Sequence, residues 1–321
     1  MPIPDLQDVP VLVTGGAGFI GSHLVDALVE RGARVRVLDD LSTGRRENLA
    51  HLAGRIELAE GDVRDLDAGR RACEGTALVF HQAALGSVPR SMADPATSLA
   101  VNVGGTANVF AACREAGVRR VVWASSSAVY GDSDRLPKRE GEEGEPLSPY
   151  AASKAVGETL ARAFARCYPL QPVGLRYFNV YGPRQEPEGP YAAVIPRFFA
   201  AALAGRPATI YGDGTQSRDF TFVAEAVDAN LLAAGAPAAA AGRVYNVASG
   251  RRTTVLELAR RVAETVGGAP APVHEAPRPG DVSHSLADLS RAREELGYEP
   301  RYGLVEGLAA SLEHYRRLAK G

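Results

Sequence analysis

"VLVTGGAGFIGSHL", residues 11–24, is an apolar run that meets three glycines, Gly15, Gly18 and Gly21, and continues as a helical pattern. A strand that stops at glycines so spaced and restarts as a helix has the form of a dinucleotide-binding turn. Glycine there permits the tight turn, close approach of backbone to a pyrophosphate, and close helix–strand packing. The pyrophosphate sits on the helix N-terminus, where free amides favour an anion. A glycine-rich turn that binds nothing would carry the same residues, so the flanking sequence decides between the two readings.

Working outward, "ARVRVLDD" (33–40) reads as a second strand ending in Asp39–Asp40. A carboxylate at that point accepts from the adenine-ribose hydroxyls and repels a 2′-phosphate, which favours NAD over NADP. Arg45 and Arg46, which could hold such a phosphate, lie past the strand end and read as solvated. Asp62, closing a third strand in "EGDVRD", is a candidate for the adenine edge or a plain turn residue.

Further strands are expected at "ALVFHQAA", "RRVVWASSS" and "QPVGLRYFN". Between them lie "FIGSHLVDALVERG", with Ile20, Leu24 and Leu28 on one stripe, and "SLAVNVGGTANVFAACREAG", read as one helix. Near-continuous apolar strands separated by helices predict a parallel sheet covered on both faces, a doubly wound α/β fold of the Rossmann kind. After residue 180, Pro and Gly punctuate "YGPRQEPEGPYAAVIP" and "GDGTQSRDF", which suits loops over a ligand. The expected organisation is a cofactor domain over 1–180, rejoined by 221–249, and a smaller C-terminal α/β substrate lobe within 181–321. The alanine-rich "LLAAGAPAAAAGR" (231–243) reads as a helix end and a surface loop.

The 321 residues are 45% hydrophobic and 23% charged, the profile of a globular chain long enough for a large core. A net charge of −2 leaves no electrostatic footprint for nucleic acid or an anionic membrane. The beginning of the chain has no signal region, no apolar run is long enough to span a bilayer, and a cytoplasmic protein is expected. Cys73, Cys113 and Cys167 lie far apart and read as buried thiols in a reducing compartment; with six scattered histidines, no metal site is expected.

"SPYAASK" (148–154) carries the chemistry. Ser148 is a good N-cap and Pro149 suits the first helical position, so Tyr150 and Lys154 become i, i+4 neighbours on one face. In an open parallel sheet, ligands bind beyond the carboxyl ends of the strands. The strand running into "SSSAVYG" (125–131) can bring Ser126, or its neighbour Ser127, to the same place. A phenol of pKa ~10 is a poor base at neutral pH. One positive charge at ~6 Å and effective ε ~20 is worth roughly 2.8 kcal/mol, about two pKa units. Lys154 and an oxidised nicotinamide together are expected to lower Tyr150 by about four units, before desolvation takes some back.

The Ser…Tyr-x-x-x-Lys set resembles that of the short-chain dehydrogenase/reductase superfamily. The runs "HQAALGSVPRS", "SSSAVYGD", "LSPYAASK", "LRYFNVYGPRQ", "YAAVIPRF", "GDGTQSRDF" and "RPGDVSHS" resemble its extended members acting on nucleotide sugars, above all the UDP-hexose 4-epimerases of the N-acetylglucosamine branch. The resemblance implies NAD held by Gly15, Gly18, Phe19, Ile20, Gly21, Asp39, Ser42, Thr43, Gly44, Asp62, Val63, Gln82, Ala83, Ala84, Asn102, Tyr150, Lys154 and Tyr177. It implies a UDP-sugar at Gly86, Ser87, Ser126, Ser127, Tyr150, Asn179, Ala193, Val194, Tyr211, Arg218, Arg278, Asp281 and Ser285, and catalysis by Ser126, Tyr150 and Lys154. It also implies a homodimer in which the helix from Tyr150 pairs with that around 98–116; Val109, Phe110, Leu160 and Phe164 suit that outer face or, equally, a face turned to the sheet. Where galactose-type members carry a lysine, this chain has Gly86–Ser87. Dehydratases carry an acid pair where this chain has Ser127–Ala128. Nucleotide-sugar 4,6-dehydration, UDP-glucuronate epimerisation or decarboxylation, and an NAD-binding regulator without catalysis are the rival readings.

Overall fold

The computed structural model describes residues 3–187, 192–277 and 283–320. Strands β1 (Pro10–Thr14), β2 (Arg34–Asp39), β3 (Ile56–Glu60), β4 (Leu78–His81), β5 (Arg120–Ser126) and β6 (Gln171–Tyr177) form, as the apolar runs predict. Between them run α1 (Phe19–Glu30), α2 (Leu66–Cys73), α3 (Val88–Ala93), α4 (Pro95–Leu99), α5 (Thr106–Glu115) and α6 (Pro149–Cys167). Beyond them come β7 (Val180–Tyr181), α7 (Val194–Leu203), β8 (Thr209–Tyr211), β9 (Ser217–Asp219), β10 (Thr221–Phe222), α8 (Val223–Ala234) and β11 (Val244–Val247). The chain ends through β12 (Arg252–Thr254), α9 (Val255–Val266), β13 (Val273–Glu275), α10 (Ser290–Leu296) and α11 (Leu304–Leu318).

One seven-stranded sheet has the order β11-β6-β5-β4-β1-β2-β3, with every pairing parallel. The order reverses between β1 and β4, so their carboxyl ends part to leave a crevice. Apolar clusters cover both faces: Val13, Leu24, Leu28, Phe80, Leu175 and Tyr245 belong to one, Leu12, Val79, Val121, Phe110 and Trp123 to the other. A third cluster, including Phe198, Phe199, Ile210, Phe222, Leu258 and Tyr315, holds α7, α9 and α11 together beside the two-stranded pairs β10–β7, β9–β12 and β8–β13.

Several local expectations need correction. The stretch 98–117 is not one helix. It begins in the last residues of α4, passes through a π-helical turn at Ala100–Gly105, and continues as α5. The turn lets the Asn102 side chain reach back: its Oδ1 accepts from Leu85 N at 2.8 Å and its Nδ2 donates to Ser153 Oγ at 3.1 Å. Cys73 and Cys113, far apart in sequence, meet with their sulfurs 3.7 Å apart, because α2 packs on α5; Cys167 is exposed at the end of α6. Val109 and Phe110 belong to the core, with Leu160 and Phe164 packed partly buried against it, so the four do not form an outer face. After α8, Ala236 and Ala240 are buried too, so 231–243 is more than a surface loop. Among the described residues no helix is long and apolar enough to cross a membrane.

Candidate active site

A cleft of about 1210 Å³ opens beyond the carboxyl ends of β1, β2, β4, β5 and β6. At its near end the chain turns at Gly15, whose φ is +69° and whose amide donates to Leu38 O at 2.8 Å. A side chain at Gly15 would strike Ala83 N at 2.5 Å, and one at Gly21 would strike Gly15 O at 2.1 Å. Only glycine therefore closes this turn against β4. Gly18 caps α1 with no side-chain hydrogen bond, leaving first-turn amides for a ligand. The loop thus presents the bare backbone cradle that a pyrophosphate requires.

Asp39 ends β2 with both carboxylate oxygens occupied once, Oδ2 by Ala17 N and Oδ1 by Leu41 N, each at 2.9 Å. Burial pushes its pKa up, and each oxygen keeps a second lone pair for a ribose hydroxyl. Arg45 pairs with Glu186 and Arg46 with Glu60, so both guanidinium groups that could favour a 2′-phosphate already have carboxylate partners.

The reactive groups come from two elements. Ser148 caps α6, its Oγ accepting from Ala151 N at 3.1 Å, with Pro149 next in the chain. The Tyr150 amide is held by Ser91 Oγ of α3 at 3.1 Å. The Tyr150 side chain and Ser126, at the end of β5, line the same cleft, and the Ser126 hydroxyl accepts from Ala128 N at 3.1 Å. Ser127 also lines the cleft. Lys154, buried, donates to Ala124 O at 2.8 Å and stands 5.9 Å from the centre of the Tyr150 ring. Burial alone lowers Lys154 to about 8, still largely charged at neutral pH. It also pushes Tyr150 above the ordinary phenol value, with the Ser126 hydroxyl opposing. The expected fall at Tyr150 is therefore not a property of the chain by itself, because desolvation outweighs what the protein's own groups supply.

Gly15, Gly18, Phe19, Ile20, Gly21, Asp39, Ser42, Thr43, Val63, Gln82, Ala83, Ala84 and Tyr177 share this cleft with Gly86, Ser126, Ser127, Tyr150, Lys154, Asn179, Arg218 and Ser285. Tyr177 is fixed by its hydrogen bonds with Gln82 Oε1 at 3.2 Å and Asn230 Nδ2 at 2.7 Å. Asn179 holds a left-handed φ of +36° and donates to Asp219 O at 3.1 Å, the kind of strained backbone that clusters at functional sites. The Arg218 guanidinium rests on the Ser217 and Ser283 carbonyls.

Other expected contacts fall outside the lining. Gly44 packs behind Asp39, where a side chain would come within 2.8 Å of Oδ1. Asp62 turns to Arg64, whose Nε donates to it at 2.7 Å and holds its carboxyl below the usual range. The Asn102 amide is consumed by Leu85 and Ser153, and Ser87 caps α3. Ala193, Val194 and Tyr211 lie off the cleft; Tyr211 faces Arg197, 5.8 Å from its ring centre. Arg278 and Asp281 lie outside the described residues.

Sequence reasoning passed over Ser125, Glu158 and Arg176, and the pair of threonines that clamp His81. Thr14 Oγ1 is 2.7 Å from His81 Nδ1, and Thr106 Oγ1 is 3.0 Å from Nε2. An arginine inside the apolar run "PVGLRYF" was the available signal, since a buried charge requires a partner. Among the described residues, no group of His, Cys, Asp and Glu side chains could hold a metal.

The model of the NAD dependent epimerase/dehydratase family matches residues 11–248. A UDP-glucose 4-epimerase of Mycolicibacterium smegmatis is 44% identical over 95% of this chain and 98% of its own. The structure of a UDP-N-acetylglucosamine 4-epimerase from Methanobrevibacter ruminantium, in complex with UDP-N-acetylmuramic acid, superposes with a TM-score of 0.92 at 39% identity, covering 97% of this chain and 99% of that one. A Thermus thermophilus UDP-glucose 4-epimerase in complex with NAD gives a TM-score of 0.87 at 38% identity, over 96% and 99% of the two chains.

Proposed function

Because this chain belongs to the NAD-dependent epimerase/dehydratase family, of the extended short-chain dehydrogenase/reductase type, we propose that it interconverts UDP-hexoses differing at carbon 4. We take UDP-N-acetylglucosamine and UDP-N-acetylgalactosamine as the first pair and UDP-glucose and UDP-galactose as the second. The observation that carries this reading is the meeting of Ser126, Tyr150 and Lys154 in a cleft whose near end is a bare glycine turn. The similarity to the three 4-epimerases supports the substrate class.

The chemistry follows from the groups present. Tyr150, as the phenolate, takes the proton of the sugar 4-hydroxyl, whose oxygen the Ser126 hydroxyl holds, while the hydride leaves carbon 4. NAD, when bound, would supply the hydride acceptor and donor and a positive ring beside the phenol. Lys154 keeps a fixed cation next to Tyr150 and so favours its phenolate. The 4-keto sugar turns over in the cleft, the hydride returns to its other face, and Tyr150 gives the proton back to O4. Electrons balance, and no cofactor is consumed. Dehydration needs a carboxylic acid to protonate a leaving hydroxyl. Ser127 and Ala128, at the end of β5, provide none.

Incubating the protein with UDP-N-acetylglucosamine and following carbon-4 stereochemistry by NMR tests the reading. Appearance of UDP-N-acetylgalactosamine is expected; no conversion of any UDP-hexose in the presence of NAD would overturn it. The proposed assembly is a homodimer. Val109 and Phe110 being core, the supporting face is that of Met92, Leu99 and Val156, which are 63%, 39% and 43% exposed on α3, α4 and α6. Light scattering should report twice the mass of 33.8 kDa, and a monomer at micromolar concentration would contradict it.

A further inference from the structure

Tyr150, Lys154 and Glu158 follow one another at intervals of four along α6, and each reaches β5. Tyr150 shares the cleft with Ser126, Lys154 donates to the Ala124 carbonyl at 2.8 Å, and Glu158 Oε1 accepts from the Ser125 hydroxyl at 2.7 Å. Two of these rungs are made by the reactive groups. The third is made by a buried carboxylate that the chemistry does not use.

Glu158 is itself fixed. Arg176 of β6 donates Nε to Glu158 Oε1 at 2.8 Å and Nη2 to Oε2 at 2.7 Å, a two-point fork that leaves the carboxylate a single orientation. Arg176 is only 2% exposed, lies 4.9 Å from the centre of the Tyr130 ring, and pairs on its other side with Glu143. A buried ion pair is weak evidence for stability, since an apolar pair of similar volume often serves as well. What this pair fixes matters more. Without the Ser125 rung, the polar ties from α6 to the end of β5 would be those of the reactive groups Tyr150 and Lys154. Glu158 and Arg176 also carry opposite charges, so their pair adds little net field at Lys154 and acts through geometry.

We propose that Glu158, oriented by Arg176 and bonded to Ser125, is a positioning residue that sets the distance of Ser126 on β5 from Tyr150 and Lys154 on α6. The inference rests on the catalytic roles proposed above. Small displacements of reacting groups cost large factors in rate.

Ser125→Ala removes the third rung and leaves the ion pair intact; Glu158→Gln keeps an acceptor for Ser125 and breaks the charge pairing with Arg176. For the parent, both variants and Tyr150→Phe, kcat and KM are measured on one UDP-hexose, together with the NAD retained per chain. Both variants should lower kcat about tenfold, with KM and retained NAD unchanged. A parent-like kcat in Ser125→Ala, beside an active parent and an inactive Tyr150→Phe, overturns the positioning role alone. Loss of NAD or a rise in KM in step with kcat also overturns it, because that pattern means general loosening. A parent that converts no UDP-hexose overturns the functional reading instead.

Discussion

The near wall of the cleft comes from one turn, with Gly15, Gly18, Phe19, Ile20 and Gly21 lining it, whereas the far wall draws Asn179, Gln185, Arg218 and Ser285 from distant parts of the chain. The near wall is shaped by backbone stereochemistry, with side chains at Gly15 and Gly21 excluded by contacts under 3 Å. The far wall hangs on a buried hub. Asp219 accepts from Ser249 Oγ at 2.6 Å, Ser249 N at 3.0 Å, Gly250 N at 3.1 Å and Ala287 N at 3.2 Å. Ser285 N in turn donates to Ser217 O at 3.0 Å. One wall is set by what cannot fit and the other by who bonds whom, so they should fail differently when altered.

The largest effect is expected in the near wall. Gly21→Ala puts a methyl into the Gly15 carbonyl, and backbone on both sides leaves it nowhere to move. Overpacking costs about 1–3 kcal/mol or more, and the purified variant should retain no NAD by absorbance. Gly86→Ala at the same cleft meets nothing within 4 Å and should retain the parent's content. Equal retention in the two variants would break the comparison.

Next comes the far wall. We propose, on the resemblance alone, that Ser285 sets the room beside carbon 2 of the hexose. Ser285 is buried and lines the cleft. A phenol ring in its place should lower kcat/KM for UDP-N-acetylglucosamine by about one to two decades, sparing UDP-glucose, with NAD retained. An unchanged ratio between the two sugars would move the acetamido pocket elsewhere.

The smallest effect concerns acid. Burial holds His81, under the near wall, neutral down to about 3, and lowers His314, which accepts from Arg184 N behind the far wall, to about 4. An unfolded histidine binds its proton near 6.5, so between these values the unfolded chain binds more protons. Stability therefore falls as pH drops through 6.5 toward 3, with a limit near ~1.4 kcal/mol per pH unit for one such group. Urea midpoints at pH 7 and pH 5 should diverge less in His81→Gln than in the parent. His314, more open to solvent, should matter less. A parent whose midpoint does not move with pH would refute the assignment.

What was legible in the sequence follows the same division. The glycine turn, the Ser148 cap with Pro149, and the Tyr150–Lys154 spacing each depend on residues within one or two turns of each other, and local rules find them. The π-helical turn at 100–105 was not legible, because it serves Asn102 bonds to Leu85 and Ser153, contacts made only after folding. The same holds for the meeting of Cys73 with Cys113 and for the inward turn of Val109 and Phe110: helix periodicity defines a face but not the layer it meets. Arg176 was visible as an anomaly in an apolar strand, though its partner Glu158 looked like any exposed helix residue.

The central claim is that Tyr150 moves the proton in a carbon-4 epimerisation. Its most direct test is Tyr150→Phe beside the parent on UDP-N-acetylglucosamine, with NAD content and product both measured. A positioned proton transfer is typically worth 10²–10⁴, so the variant should retain NAD and lose turnover by about that factor. Turnover within about tenfold of the parent would contradict the account.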